Sequence, residues 1–394
     1  MTSEPFTGRT KTSPAPSLRL RLLQRWGNNR FLYPMPQKLL CCFPVLYFLA
    51  LTALYSYAQQ QASTKSISAK DAMAWLQRSN EQTNLRLPGS APFHLKIKFH
   101  AFPGMEMLPP KQAEILTGDG IYEETWLEPH RWRREVTLGS YHAIETESNH
   151  VRKMQASEDY IPSRVFMLMT ALLNSVSSYN LATYFQDENK WYMLKSTSGE
   201  LSAVKIFAPM RRGPQLSVDT AYIFSSDGIL MQSHEWNVVT TWDDDHVFAG
   251  KVVPGHILIQ ADAERNLVTA DLSIEPAGTV DPTMLDLSTG RADPGMTLRP
   301  FQSWEIKIPQ RRESKPIIPS DMTQSQIPDI LVRINFTRTG KRRDVEVISI
   351  PPLLRRDPLV GASSILAAIR DSRYIPATTD GNPCQTAWNQ SLVP

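Results

Sequence analysis

The most concentrated group of potential metal ligands in this sequence is the run Asp243 to His246, which reads Asp-Asp-Asp-His. Clustered carboxylates bind hard cations such as Ca²⁺ when a dedicated loop makes them converge. Adjacent residues in an ordinary turn do not converge on one ion, and Trp242 and Val247 flank this run. We therefore interpret it as a solvated turn and predict no metal site.

The other histidines do not suggest a site either. His94 and His100 lie on one face of a predicted strand, but about 20 Å apart at the usual rise per residue. His130, His142 and His150 are scattered among predicted turns. The separation of His94 and His100 predicts that these two do not share a metal ion.

Motifs of known catalytic mechanism are also missing. The sequence contains no Gly-x-Ser-x-Gly, no His-Glu-x-x-His and no phosphate-binding loop. Glu123 and Glu124 are neighbours in a predicted strand, so their side chains point to opposite faces and cannot form a catalytic pair. We expect a binding protein without a cofactor; a hydrolase whose site is assembled from distant residues is the weakest alternative.

An aromatic and basic cluster is formed by Trp126, Arg131, Trp132, Arg133 and Arg134. Arginines in such a cluster could contact a lipid phosphate or a carboxylate of a partner. We therefore mark Arg131, Arg133 and Trp126 as a candidate surface patch. The competing interpretation is a strand pair with tryptophans inward and arginines outward.

The amino end predicts export from the cytoplasm. Residues 39–57 contain no charged side chain, and the 38 residues before them hold seven Lys or Arg against one Glu. Such a segment is either a signal peptide, cleaved here after Ala58, or an uncleaved membrane anchor. The sequence leaves both open, and it also leaves open whether translation starts at Met1 or Met35. We expect the rest of the chain in the periplasm.

Composition sets further limits. A length of 394 residues suits two domains, and a formal charge of +3 gives no reason to expect nucleic-acid binding. Cys384 is the one cysteine after the apolar segment, so the exported part has no internal disulfide. A lone cysteine is usually a small buried apolar residue, although a reactive thiol is the alternative.

Residues 66–276 predict a large antiparallel sheet with covering helices. Ser66–Ser79 and Val165–Leu173 have helical patterns, whereas Pro92–Phe99 alternates apolar and polar residues strictly. Short strands separated by turn residues continue to Glu275. With few helices, such a sheet must curl or be covered to hide its apolar face.

This region resembles the LolA/LolB-like carriers of envelope lipoproteins. The resemblance rests on the amino-terminal helix, on Gly118–Trp126 (Gly-x-Gly-x-Tyr-Glu-Glu-x-Trp), on Pro129–Glu135 (Pro-x-x-Trp-Arg-Arg-Glu) and on Pro254–Ile259 (Pro-x-x-Ile-x-Ile). It implies a half-open barrel with a concave apolar pocket suited to acyl chains. The alternative is a solid-cored β domain that only displays a surface.

The carboxyl end has a different pattern. Two alternating strands, Leu331–Phe336 and Asp344–Ile350, enclose a turn at Gly340, and a helical stretch follows at Ala362–Ile369. With Tyr374-Ile-Pro-Ala and Asp380-Gly381 after it, this order resembles the C-terminal domain of the TonB family. That resemblance, over residues 327–394, implies a small ββαβ module that docks an envelope protein by strand addition. The docking edge would contain Cys384, Thr386 and Trp388.

These patterns predict an α+β protein with four regions. They are a leader with its signal or anchor at 1–58, the β-rich domain at 66–276, a Pro-rich, solvated linker at 277–326 and the TonB-like module at 327–394. The leading functional prediction is a non-catalytic envelope protein whose module docks a partner, as in TonB-type transport. The alternative is a periplasmic carrier or sensor of lipid or lipoprotein, with an acyl chain in the large domain.

Overall fold

The structure is a computed structural model that describes residues 63–103, 116–173, 191–195, 204–212, 215–235, 238–261, 265–287, 290, 296–298, 310–311, 330–349 and 374–392. The predicted leader and the apolar segment at 39–57 lie outside these ranges. Among the helices described, none has the length and apolarity needed to cross a bilayer.

The dominant element is a thirteen-stranded sheet in which every neighbouring pair is antiparallel. Its first six strands are β1 Ser63–Ile67, β2 Phe93–Ala101, β3 Gly118–Glu128, β4 Arg131–Leu138, β5 Tyr141–Ser148 and β6 Val151–Ala156. The next five are β7 Trp191–Lys195, β8 Val204–Arg212, β9 Gln215–Phe224, β10 Leu230–Glu235 and β11 Val238–Asp243. A hairpin of β12 His246–Phe248 and β13 Lys251–Val253 precedes the last two, β14 His256–Ala261 and β15 Arg265–Pro276.

The strand order is β1-β7-β8-β9-β10-β11-β14-β15-β2-β3-β4-β5-β6. Two meanders, β2 to β6 and β7 to β15, are therefore joined where β15 pairs with β2. The antiparallel sheet expected from the sequence is confirmed. Strict alternation explains β2, because Phe93, Leu95, Ile97 and Phe99 are buried while the residues between them are more exposed.

Two helices cover the buried face of the sheet. Helix α1, Ala69–Thr83, begins after Ser68, whose hydroxyl accepts a hydrogen bond from the Asp71 backbone N–H at 3.1 Å. This cap places the helix start later than the predicted Ser66, because the preceding residues belong to β1. Helix α2, Ser163–Leu173, packs on β14 and β15, and α1 packs on β13.

Several short elements follow the large sheet. A 3₁₀ turn spans Pro282–Leu285. Two small two-stranded sheets follow: β16 Gln310–Arg311 pairs with β19 Tyr374–Ile375, and β20 Thr378–Thr379 pairs with β21 Asn382–Pro383. The described parts of the predicted linker are not solvated throughout: Leu285, Leu287, Met296 and Leu298 are buried. Their apolar side chains face the protein interior, which removes them from water.

A three-stranded sheet lies near the carboxyl end. It contains β17 Ile330–Phe336, β18 Arg342–Ser349 and β22 Thr386–Leu392, in the order β18-β17-β22. The helix predicted at 362–369 lies outside the described residues, so the ββαβ arrangement stays a prediction. The turn between β17 and β18 contains Gly340 at φ 77°, as the turn assignment requires.

The sequence patterns also missed or misplaced some strands. β1 and β11 were not predicted, and residues 246–253 form the separate β12–β13 hairpin, outside the large sheet. β1 was hidden because its residues overlap the predicted helix. Neither error changes the fold class, which is a mostly antiparallel β protein with few helices.

Candidate functional site

The described part of the chain contains a cavity of about 720 Å³, a volume that includes part of its open mouth. It lies between the carboxyl-terminal ends of α1 and α2 and the inner face of the sheet. Its inner wall is lined by strand residues whose side chains point to the inner face of the sheet. The buried ones are Leu95, Leu230, Trp242, Val253 and Ile257.

The wall nearer to the mouth is also largely apolar. Leu172 and Leu173, at the end of α2, are only partly buried, as are Ile229, Val252 and Leu272. Apolar surface that borders an open cavity is unfavourable in water and becomes favourable when an apolar ligand covers it. The cavity therefore offers a surface that suits a hydrocarbon group.

Arg86 joins the two helix ends at the cavity. Its Nη1 donates to the carbonyl oxygen of Leu172 at 3.3 Å, which gives a partner to one of the last carbonyls of α2. Its Nε donates to Glu124 Oε1 at 2.9 Å, and its Nη2 also contacts that carboxylate. The guanidinium thus ties α2 to the middle of β3.

Glu124 is the centre of a buried polar network behind this wall. Besides Arg86, it accepts hydrogen bonds from Arg134 Nε at 3.1 Å and from the Tyr122 hydroxyl at 2.8 Å. Burial alone would raise the pKa of Glu124, but the charges of Arg86 and Arg134 outweigh it and lower the pKa to about 2. Glu124 is therefore held as a carboxylate with its oxygens occupied, which suits a structural ion pair.

The alternation of β3 and β4 could have revealed this network. Glu124 has the same parity as the buried Tyr122 and Trp126, and Arg134 the same as the buried Trp132. The expectation that Glu123 and Glu124 point to opposite faces is confirmed, since Glu123 pairs on the outer side with Lys96 Nζ at 2.6 Å. What the sequence analysis missed was the arginine partner of the inward carboxylate.

The candidate surface patch is only partly correct. Trp126 is 2% exposed and stacks on Phe93, with ring centroids 5.6 Å apart, so it does not belong to a surface. Arg131 and Arg133 are on the outer side of β4, where Arg133 Nη2 donates to Glu135 at 2.7 Å. The competing interpretation, with the tryptophans inward, describes these residues better, except that Arg134 also points inward.

The predicted docking edge also needs correction. Cys384 is fully buried and precedes β22, and its N–H donates to the carbonyl oxygen of Ala377 at 2.9 Å. Thr386 is buried as well, which leaves Trp388 as the predicted edge residue; it pairs in register with Ile334 of β17. Docking by strand addition stays a prediction. The expectation that Cys384 is a small buried residue is confirmed.

The run Asp243 to His246 spans the end of β11, a turn at Asp244 and Asp245 and the start of β12, in agreement with the predicted turn. The three aspartates are exposed, and Asp243 contacts His256 Nδ1 at 3.0 Å. Asp245 also lies at the cavity, which the sequence did not indicate. Within the described ranges, no group of three or more His, Cys, Asp or Glu side chains could hold a metal ion.

A second buried network was not predicted at all. It joins α2 to the carboxyl-terminal sheet, where Arg164 donates to Glu346 and the backbone N–H of Ser163 donates to Asp344 at 2.6 Å. Gln385 extends it, because its side chain accepts from the Ile161 N–H at 3.0 Å and donates to the Thr297 carbonyl at 2.8 Å. No local pattern signals contacts between residues so distant in sequence.

Comparisons with known proteins give limited information. No family model matches the sequence, and no curated protein matches it. Among solved structures, the chain is similar to a putative outer membrane lipoprotein-sorting protein domain from Vibrio parahaemolyticus, with 8% identity and a TM-score of 0.29 over 56% of this chain and 97% of that one.

Two further solved structures show the same level of likeness. A LolA superfamily protein from Nitrosomonas europaea has 10% identity and a TM-score of 0.23, over 55% of this chain and 97% of that one. A DUF1329 family protein from Desulfovibrio piger has 9% identity and a TM-score of 0.27, over 57% and 99%. The comparisons identify no TonB relative.

Proposed function

We propose that this chain is a non-catalytic, exported binding protein that holds the acyl chain of a lipid or lipid-modified protein in its cavity. The observation that carries the proposal is the open cavity with apolar walls beneath the ends of α1 and α2.

The energetics favour a long apolar ligand. Each methylene moved from water into such a cavity contributes about 0.8 kcal/mol, so affinity grows with chain length until the cavity is filled. Glu124 already neutralises Arg86, so ligand entry does not strip water from an unpaired cation in the wall that Arg86 adjoins. Ligand entry therefore removes apolar surface from water on both sides of the contact.

The polar groups behind the wall support binding rather than catalysis. Glu124 is buried among two arginines and a tyrosine, and it contacts the cavity only through Arg86. A catalytic acid or base needs a pKa near the working pH and access to the substrate. Glu124 meets neither requirement, and its partners instead keep the wall of the cavity in place.

Fluorescence of the neutral probe N-phenylnaphthylamine tests the proposal directly, because its emission rises on entering an apolar site. We expect saturable binding to the purified protein and displacement by dodecanol. Leu173→Glu places a carboxylate in the apolar wall and is expected to weaken probe binding at least about tenfold. Val151→Glu is the matched control, since Val151 is 51% exposed on β6 and does not line the cavity.

The proposal fails if the probe does not bind saturably. It also fails if Val151→Glu weakens binding as much as Leu173→Glu does, because the probe would then report exposed apolar surface in general. Near-identical circular dichroism spectra of the two variants and the parent protein establish that each has folded.

A further inference from the structure

The polar residues that line the cavity are gathered at one end. Asn80 and Thr83 belong to the last turn of α1, and Asn84 is its C-cap. Asp245 approaches from the turn between β11 and β12. Close by, Lys251 of β13 holds the β12–β13 hairpin to α1, because its Nζ donates to the Glu81 carbonyl oxygen at 2.6 Å. We call Asn80, Thr83, Asn84 and Asp245 the polar rim.

Most charged side chains near the polar rim already have a hydrogen-bond or ion-pair partner. Arg86 is bound by Glu124 and the Leu172 carbonyl, and Lys251 is bound by a carbonyl of α1. Asp243 contacts His256. Asp245 forms no hydrogen bond or ion pair with any residue in the described ranges, although it lies directly at the cavity. Its carboxylate is therefore available to a ligand.

Two further features make the polar rim electrically negative. The last carbonyls of a helix carry partial negative charge, and the α1 carboxyl terminus is at the rim. The carboxylates of Asp243 and Asp244 adjoin Asp245, and His246 follows it in the sequence. A positive charge at this position would relieve the repulsion among the carboxylates.

We propose that the ligand is an amphiphile with an ammonium head group, which Asp245 binds at the polar rim while the hydrocarbon chain fills the cavity. This inference rests on the proposed function and adds the chemistry of the head group to it. Asn80 and Asn84 supply side-chain amide groups beside the carboxylate, and these can bind polar atoms next to the ammonium group.

The pKa of Asp245 agrees with this geometry. Although Asp245 is exposed at the surface, desolvation and then the neighbouring carboxylate of Asp243 raise its pKa above the ordinary value, whereas His246 opposes the shift. The charged form of Asp245 is therefore disfavoured without a ligand. A cation bound beside the carboxylate would stabilise this charged form.

Displacement of N-phenylnaphthylamine by three amphiphiles of equal chain length tests the inference. At pH 7 dodecylamine is cationic, dodecanol is neutral and dodecanoate is anionic. We expect dodecylamine to bind about tenfold more tightly than dodecanol, and dodecanoate to bind least well. Asp245→Asn is expected to remove the advantage of dodecylamine over dodecanol.

Asp244→Asn is the matched control. It removes the same charge from the adjacent position, outside the cavity lining, and asparagine tolerates the positive φ of 56° found there. We expect this variant to retain most of the preference for dodecylamine. Equal loss in both variants would overturn the inference in favour of a general surface field.

The two proposals fail in different ways. If dodecanol and dodecylamine bind equally, or if dodecanoate binds more tightly, the head-group inference is wrong and the apolar cavity stands. If none of the three displaces the probe and the probe itself does not bind, both proposals are wrong.

Discussion

Arg164 of α2 and Glu346 of β18 form a bidentate ion pair across 182 positions of the chain, with Nη1–Oε1 at 2.6 Å and Nη2–Oε2 at 2.8 Å. Both side chains are 0% exposed. The Ser163 hydroxyl also donates to Glu346 at 3.1 Å. The pair connects the carboxyl-terminal sheet to the first turn of α2, the helix whose far end lines the cavity.

Removing the arginine from this pair should destabilise the protein strongly. In Arg164→Met, Glu346 would remain buried without its partner, and we expect a loss of about 3–5 kcal/mol in the free energy of unfolding. The double variant Arg164→Met/Glu346→Met removes both charges and should lose much less. Urea unfolding of the three proteins measures this difference, and equal losses in the single and double variants would contradict it.

Asp344 predicts a pH dependence of stability. Burial raises its pKa to about 7, although the N–H of Ser163 opposes the shift. In the unfolded chain the pKa is about 3.9. Between these two values the folded state binds more protons, so this group's contribution to stability falls as the pH rises from about 4 to about 7.

The variant Asp344→Asn should lose most of this dependence. Asparagine keeps an acceptor for the Ser163 N–H and tolerates the positive φ of 42° at this position. We expect it to be more stable than the parent at pH 8, by roughly 1–4 kcal/mol. Unfolding free energies measured from pH 4 to 8 check this, with the exposed Asp271→Asn as the control that should follow the parent.

Gly120 lies directly beneath the ring of Phe99. A Cβ at this position would lie 2.2 Å from Cζ of that ring, closer than any real contact. Gly120→Ala should therefore destabilise the protein by about 1–3 kcal/mol through overpacking. Phe99→Leu in the same chain should recover part of the loss, whereas Gly278→Ala, with open space around it, should be nearly neutral. Thermal unfolding distinguishes these results.

Cys384 should be unreactive in the folded protein. Its thiol is fully buried, and burial raises its pKa to about 11, so little thiolate forms at neutral pH. Labelling with iodoacetamide followed by peptide mapping should leave the peptide that contains Cys384 unmodified until denaturant is added. Rapid modification under native conditions would place this residue at the surface, as the predicted docking edge requires.

The large sheet was predictable because its information is local. In β2, side chains alternate between the two faces, so Leu95 and Ile97 reveal their burial through the spacing of apolar residues alone. The same rule assigns Glu124 to the inner face, but the sequence does not indicate which arginine side chains pair with it. Where helix and strand patterns overlap, as at Ser66, the cap at Ser68 decided the boundary.

By itself, the sequence determined the alternation of most strands of the large sheet and several of the turns between them. Only the tertiary structure decided that Arg86 meets Glu124, that Arg164 meets Glu346 and that Asp245 lies at the cavity. The physical reason is distance along the chain. Periodicity reports which face of an element avoids water, but an ion pair depends on how separate elements are placed against one another. A cavity likewise depends on the volume that they leave unfilled.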